Sequence, residues 1–194
     1  MWKALLRFGY SSSAFFLGLI FFTSGMAKLF WEHRFPGIMG PVWLEDKLTA
    51  YDLGLFVRFI GYAQVLIGFL LLTLRFTTLG AVALVPMLLN IFIITISQHW
   101  QGTPYVIAFF FLLNLYLLFY DQQKLWPFVT EQPAPQEAYR KTLSNSGNGI
   151  WAMGLLLVLI SPTISYWSSV PAYVLAGSGM GFGWWSNRFD VVRW

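Results

Sequence analysis

SSSAFFLGLIFFTSGMAKLF, residues 11–30, is a run of twenty residues whose only ionisable side chain is Lys28, near its end. A helix of that length rises about 30 Å at 1.5 Å per residue, the thickness of the hydrocarbon core of a bilayer. The apolar run extends from about Phe8 to Trp31. That is too long for the hydrophobic part of a signal peptide, and no A-x-A-like cleavage site follows it, so it reads as a retained first span.

Three similar stretches follow, Leu53 to Leu74, Phe76 to Ser97 and Thr103 to Tyr120, joined tightly at Arg75 and at Gln98 to Gly102. Short connections make consecutive spans antiparallel neighbours. From Asp121 to Gly149 the chain turns polar, with Pro127, Pro133, Pro135 and then Ser-Asn-Ser-Gly-Asn-Gly, the composition of a linker. A fifth span is expected at about Ile150 to Val170, with a kink at Pro162. The fold class is therefore an all-α integral membrane protein. Residues 1–125 are expected to form an antiparallel four-helix transmembrane bundle, 126–149 a linker on the cytoplasmic side, and 150–194 a fifth span with a Gly/Trp-rich apolar tail.

That tail, Pro171 to Trp185, carries Gly177, Gly179, Gly181 and Gly183 in strict alternation. It is too short and too rich in glycine to be read as a sixth span. The alternation suits close backbone packing or an interfacial turn, and no strand-to-helix context makes it a phosphate loop. Together with Trp184 and Trp185 these glycines are the candidate partner interface.

Composition agrees with the spans and removes several classes of function. Apolar residues make up 57% and charged residues only 10% of 194, less than half the charge of an ordinary soluble domain. Five spans leave no room for a sizeable soluble catalytic domain. With no cysteine, the chain by itself has no thiolate nucleophile, disulfide relay, iron–sulfur cluster or Cys-ligated zinc. The 12 Lys and Arg against 8 Asp and Glu are scattered, without the basic run that nucleic acid requires.

Orientation follows from the basic residues. With the N-terminus inside, Lys3, Arg7, Arg75, Lys124, Arg140 and Lys141 lie inside, against Arg34, Lys47, Arg188 and Arg193 outside if there are five spans. A sixth crossing would return the two tail arginines to the inside. Either way the N-terminus is expected on the cytoplasmic side.

Polar groups at membrane depth are few, and each charged one costs roughly 2.5–3.5 kcal/mol on insertion scales unless it finds a partner or a water-filled cavity. Lys28 ends span one, and Arg58 lies about five residues into span two from the same side. Gln64, Asn90 and Asn114 fall within spans two, three and four. In an N-in bundle all five are expected to converge on the outer half. Gly54, Gly61 and Gly68 lie within about 40° of one another on span two, with Arg58 about 40° to one side and Gln64 about 80° to the other. Ser11, Gly18 and Gly25 repeat the seven-residue spacing on span one, which predicts a packed pair. Each polar group also has a plain reading. Lys28 could snorkel to the headgroups, Arg58 could pair with Asp52, Asp46 or Glu45, and the three amides could be interhelical hydrogen bonds. Pro86 frees a carbonyl that Asn90 or a ligand could use.

His33 and His99 fall in connections and suit neither haem nor metal ligation. No Ser/His/Asp set or close carboxylate pair can be assembled within a span. Trp2, Trp31, Trp43, Trp100, Trp126 and Trp167 mark the ends of spans, as an interfacial belt does, with quinone or pigment stacking as the alternative reading. Phe109-Phe110-Phe111 is expected to face lipid or a partner.

The string from Gly18 to Leu29, G-x-x-F-x-x-x-G-x-x-K-L, resembles the first-helix signature of DoxX-like membrane proteins. Arg58 to Leu72 resembles their second helix, in which a Glu commonly stands where this chain has Gln64. Pro86 to Phe92, Gly102 to Pro104 and Asn114 to Asp121 resemble the third and fourth helices of a DoxX-like subgroup. The resemblance covers about residues 5–125 and stops beyond Lys124. It implies a four-helix membrane core associated with redox systems, either as a subunit of a quinone-linked oxidoreductase or as a partner of oxidative-stress enzymes. Gln64 cannot exchange a proton as a carboxylate does, which disfavours proton-coupled chemistry on span two.

The expectation is thus an accessory membrane subunit without autonomous catalysis. Its partners are the bilayer and other membrane subunits of a redox complex, and a quinone or phospholipid headgroup is held by Lys28, Arg58, Gln64, Asn90 and Asn114. The alternatives are a purely structural or lipid-binding subunit and, behind it, a small transporter. No covalent cofactor and no metal are expected.

Overall fold

The computed structural model describes residues 2–40, 48, 51–130 and 141–192. The helices are α1 (Trp2–Leu29), α2 (Gly54–Leu72), α3 (Thr77–Ser97), α4 (Thr103–Tyr120), α5 (Gln122–Thr130), α6 (Asn145–Ser165) and α7 (Ser169–Trp185), with 3₁₀ turns at Trp31–His33 and Ser186–Phe189. Five of them, α1, α2, α3, α4 and α6, are long and apolar enough to cross a membrane. By length and composition the chain is a predominantly helical protein with the spans of a multi-pass membrane protein.

Local chemistry sets the boundaries. Gly102, at φ +89°, ends the α3–α4 connection in a conformation that side chains resist, and Pro104 follows in the first turn of α4, where no backbone donor is needed. Ser144 caps α6 by accepting a 2.9 Å hydrogen bond from the Gly147 N–H. That cap starts the fifth span at Asn145, five residues earlier than the composition suggested. The helix runs through Pro162 and stops at Ser165. The expected linker is helical over Gln122–Thr130, and its residues 131–140 lie outside the described residues. The glycine-rich tail forms the regular 17-residue helix α7.

The chain divides into two compact units, Met1–Leu17 with Leu70–Tyr139, and Gly18–Phe69 with Arg140–Trp194. In the first, the amino-terminal part of α1 packs on α4. The Tyr116 hydroxyl donates to the Leu6 carbonyl at 3.0 Å, Tyr10 stacks on Tyr120 at 4.4 Å, and Phe16 meets Phe110 edge-on at 6.0 Å. Leu84, Leu88 and Leu117 are fully buried there. Of the phenylalanine run, Phe110 is thus a core residue and only Phe109 is exposed.

In the second unit, the carboxy-terminal part of α1 and α2 form the expected glycine-lined pair. A Cβ on Gly25 would lie 2.6 Å from the Gly61 carbonyl, and one on Gly68 would strike the Phe22 backbone. Apolar side chains gain no hydrophobic energy from association in lipid, so such close backbone contact is what holds the pair. Phe69 of α2 meets Trp151 of α6 at 5.2 Å. α6 and α7 form a tight antiparallel hairpin, closed where Lys141–Thr142 (β1) pairs with Val191–Val192 (β2).

Candidate functional site

Lys28 lies in the last turn of α1, yet its ammonium does not extend past the helix end. Nζ turns back along the helix and donates to the Ser24 carbonyl at 3.1 Å and the Ser24 hydroxyl at 3.0 Å. Helical side chains incline toward the amino terminus of their helix, so a lysine at a carboxy-terminal end points into the span by default. The charge is therefore held about one turn below the end of the helix.

The segment after α1 folds back over the same flank. Glu32 and His33 at positive φ reverse the chain, and the His33 Nδ1 lies 2.9 Å from the Ala27 carbonyl. Phe35 then packs on Phe30 at 4.9 Å and on Phe22 at 6.4 Å. The Ile38 N–H reaches the Thr23 hydroxyl at 3.4 Å. Gly40 sits at φ +106°, where a Cβ would be 2.5 Å from the Ser24 hydroxyl and 3.2 Å from the Lys28 Nζ. Only glycine satisfies both the backbone conformation and the space. Residues 35–40 thus lie along α1 back to Thr23, about 9 Å below its end by helix rise, and flank the Lys28 charge.

Gln64 is in the same unit, on α2 between Gly61 and Gly68, and is 4% exposed. Its Oε1 is buried without a hydrogen-bond partner among the described residues. Leaving such a group unsatisfied costs about 1–3 kcal/mol. Arg58, the third predicted residue of this unit, is exposed on α2 and forms no ion pair with Asp52; the other expected partners, Glu45 and Asp46, lie outside the described residues.

Asn90 and Asn114 belong to the other unit. Asn114 is 1% exposed, and its amide donates to the Ala81 carbonyl at 3.0 Å while its Oδ1 has no partner among the described residues. Ala81 is next to Val82, whose carbonyl loses its helical donor to Pro86, so the polar side chain that addresses this stretch of α3 comes from α4. Asn90, expected in that role, is exposed. Of the five candidates, Lys28, Arg58 and Gln64 share one unit, and Asn90 and Asn114 share the other.

A polar cluster that the sequence reading passed over lies at the end of α4. Asp121 is 3% exposed and accepts from Tyr10 at 2.6 Å, Thr78 at 2.5 Å and Lys124 at 2.6 Å. The three donors come from α1, α3 and α5. The only signal for it was a carboxylate at a span end followed three residues later by a lysine, a pattern that surface loops also show.

The tail glycines divide into two rows. Ala172, Ala176, Gly179 and Gly183 are buried against α6, where a Cβ on Gly179 would be 2.5 Å from the Gly154 carbonyl. Val170, Val174, Gly177, Gly181 and Trp184 form a second, exposed row at the same spacing, with nothing within 4 Å of a Cβ on either glycine. Of the candidate partner interface, Gly179 and Gly183 are packed inside the chain, while Gly177, Gly181, Trp184 and Trp185 are exposed.

No group of three metal-ligating side chains occurs among the described residues. No family model, curated protein or solved structure matches the chain.

Proposed function

We propose that this protein is an accessory subunit of a redox-linked bacterial inner-membrane complex, with a DoxX-like membrane core and its N-terminus in the cytoplasm, and that it binds a quinone carbonyl or a lipid headgroup at Lys28. The observation that carries this reading is the Lys28 ammonium, turned into the span and flanked by residues 35–40. Helix geometry alone turns this lysine inward, so what sets Lys28 apart from a headgroup anchor is the flank of residues 35–40 beside its charge. A point charge held below the helix end suits a carbonyl or phosphate oxygen. Arg58, exposed at the same end of the α1–α2 pair, would add a second positive group for a headgroup.

A quinone bound here would supply the redox chemistry, and the chain would supply binding and orientation. Gln64 can donate or accept a hydrogen bond but cannot take up a proton, so position 64 itself offers no proton carrier. Lys28→Met should lower the quinone or phospholipid that copurifies from the native membrane at least several-fold, with the helical content and partner proteins retained. Unchanged small-molecule content, measured by mass spectrometry, would refute binding at Lys28.

The exposed row on α7 favours a second reading, a structural subunit that docks its partner through the tail. Gly181→Leu should then release the partner while the hairpin stays folded, because no described residue comes within 4 Å of a Cβ at that position.

A further inference from the structure

We infer that α7 recrosses the membrane, so that the protein has six spans and the residues after Trp185 return to the face from which α6 starts. The argument rests on the two ends of the α6–α7 hairpin. At one end, β1 immediately precedes α6, β2 follows α7, and the two pair antiparallel, Lys141 opposite Val192 and Thr142 opposite Val191. The Ser144 N–H, at the cap of α6, also donates to the Asp190 carboxylate at 3.1 Å. The chain after α7 is therefore at the level of the first residue of α6.

At the other end, the turn after α6 lies beside the end of α1. The Trp31 N–H donates to the Ser165 hydroxyl at 2.9 Å, the Trp31 and Tyr166 rings are 4.9 Å apart, and the Tyr173 hydroxyl donates to the Arg34 carbonyl at 2.6 Å. α6 thus ends on the face where α1 ends, as a fifth span must after four crossings. α6 starts on the opposite face, and the chain is back there by Asp190.

Length allows the crossing. The 17 residues of α7 rise about 26 Å, and the four-residue 3₁₀ turn adds about 8 Å, close to the roughly 31 Å of α6. Glycine, which weakens a helix in water, is no obstacle to a span whose backbone packs directly on another helix. The apolar side chains exposed along α7, Val170, Val174 and Trp184, are also what a lipid-facing surface needs.

Six spans also sharpen the charge asymmetry. Arg188 and Arg193 join Lys3, Arg7, Arg75, Lys124, Arg140 and Lys141 on one face, leaving Arg34 and Lys47 on the other. That face is the one suited to the anionic headgroups of the cytoplasmic leaflet.

The chain has no cysteine, so single cysteines report topology on the unaltered background. Asn145→Cys, Ser168→Cys and Asn187→Cys are to be labelled with a membrane-impermeant maleimide in right-side-out and inverted vesicles. The expected result is that Asn187→Cys labels in the same vesicles as Asn145→Cys and that Ser168→Cys labels in the opposite ones. Labelling of Asn187→Cys together with Ser168→Cys would overturn the sixth span. Should a cysteine variant fail to accumulate or to label, a reporter fused after Trp194 decides. Fluorescent green protein with inactive alkaline phosphatase supports the crossing, and the reverse refutes it.

Discussion

The Tyr10 hydroxyl donates a 2.6 Å hydrogen bond to the carboxylate of Asp121, a residue 111 positions further along the chain. Thr78 and Lys124 bind the same carboxylate, so one buried side chain ties α1, α3 and α5 to the end of α4. Hydrogen bonds to a charged group contribute about 1.5–3 kcal/mol each. Tyr10→Phe, which removes one donor and leaves the ring stack with Tyr120, should lower unfolding stability in detergent by about that amount. Asp121→Leu should cost more, because three donors lose their acceptor together. A thermal or denaturant midpoint for Tyr10→Phe equal to that of the unaltered protein would show that the Tyr10 bond contributes nothing.

Gly179 and Gly177 are two residues apart and have opposite surroundings. A methyl group on Gly179 meets the Gly154 carbonyl at 2.5 Å and the Val158 side chain at 2.8 Å, whereas one on Gly177 meets nothing within 4 Å. Overpacking of this kind costs about 1–3 kcal/mol. Gly179→Ala should therefore lower the melting midpoint. Gly177→Ala should leave it unchanged or raise it, since alanine is the better helix former by about 1 kcal/mol. Equal effects of the two substitutions would contradict the hairpin packing.

Asn114 and Asn90 offer a similar contrast within the other unit. Asn114→Ala removes the bond to the Ala81 carbonyl, and interhelical hydrogen bonds in membrane proteins average about 0.6 kcal/mol, with a maximum near 1.7. A loss in that range is expected for Asn114→Ala and none for the exposed Asn90→Ala. Chemical denaturation of the two variants side by side measures the difference, and a larger loss at Asn90 would place its side chain in a contact of its own.

Spans were legible because their signal is local: twenty apolar residues are a statement about length and transfer energy that needs no partner. Pairing of α1 with α2 was legible for a related reason, since glycines seven apart fall on one face of a helix whatever the helix meets. The use of the tail glycines was not. Gly177 and Gly179 have the same chemistry and nearly the same neighbours in sequence, and only the position of Gly154, more than twenty residues away, assigns one to the interior. Asp121 was missed because burial of a carboxylate at a span end depends on donors from three other helices. Lys28 was open between two readings, and the direction of its ammonium depends on rotamer and on residues 35–40, neither of which hydropathy encodes.

Gln64 gives the sharpest test of what the α1–α2 pair is for. Among the described residues its buried Oε1 has no partner, on a helix face otherwise built of glycine and apolar residues. A buried amide that lacks a bond in the folded chain is a net cost, so an apolar side chain of similar volume and flexibility should be neutral or stabilising by about 1–3 kcal/mol. Gln64→Met is therefore expected to hold or raise the melting midpoint of the purified, delipidated protein. If the midpoint falls instead, the amide oxygen has a donor in the folded state, and the cost of Gln64 is not what the chain alone implies. Repeating the measurement with native lipid extract added back separates two causes. Stabilisation of the unaltered protein by the extract, absent in Gln64→Met, would identify a bound molecule as the donor and would connect α2 to the ligand proposed at Lys28. Equal stabilisation of both proteins would confine the role of Gln64 to the chain.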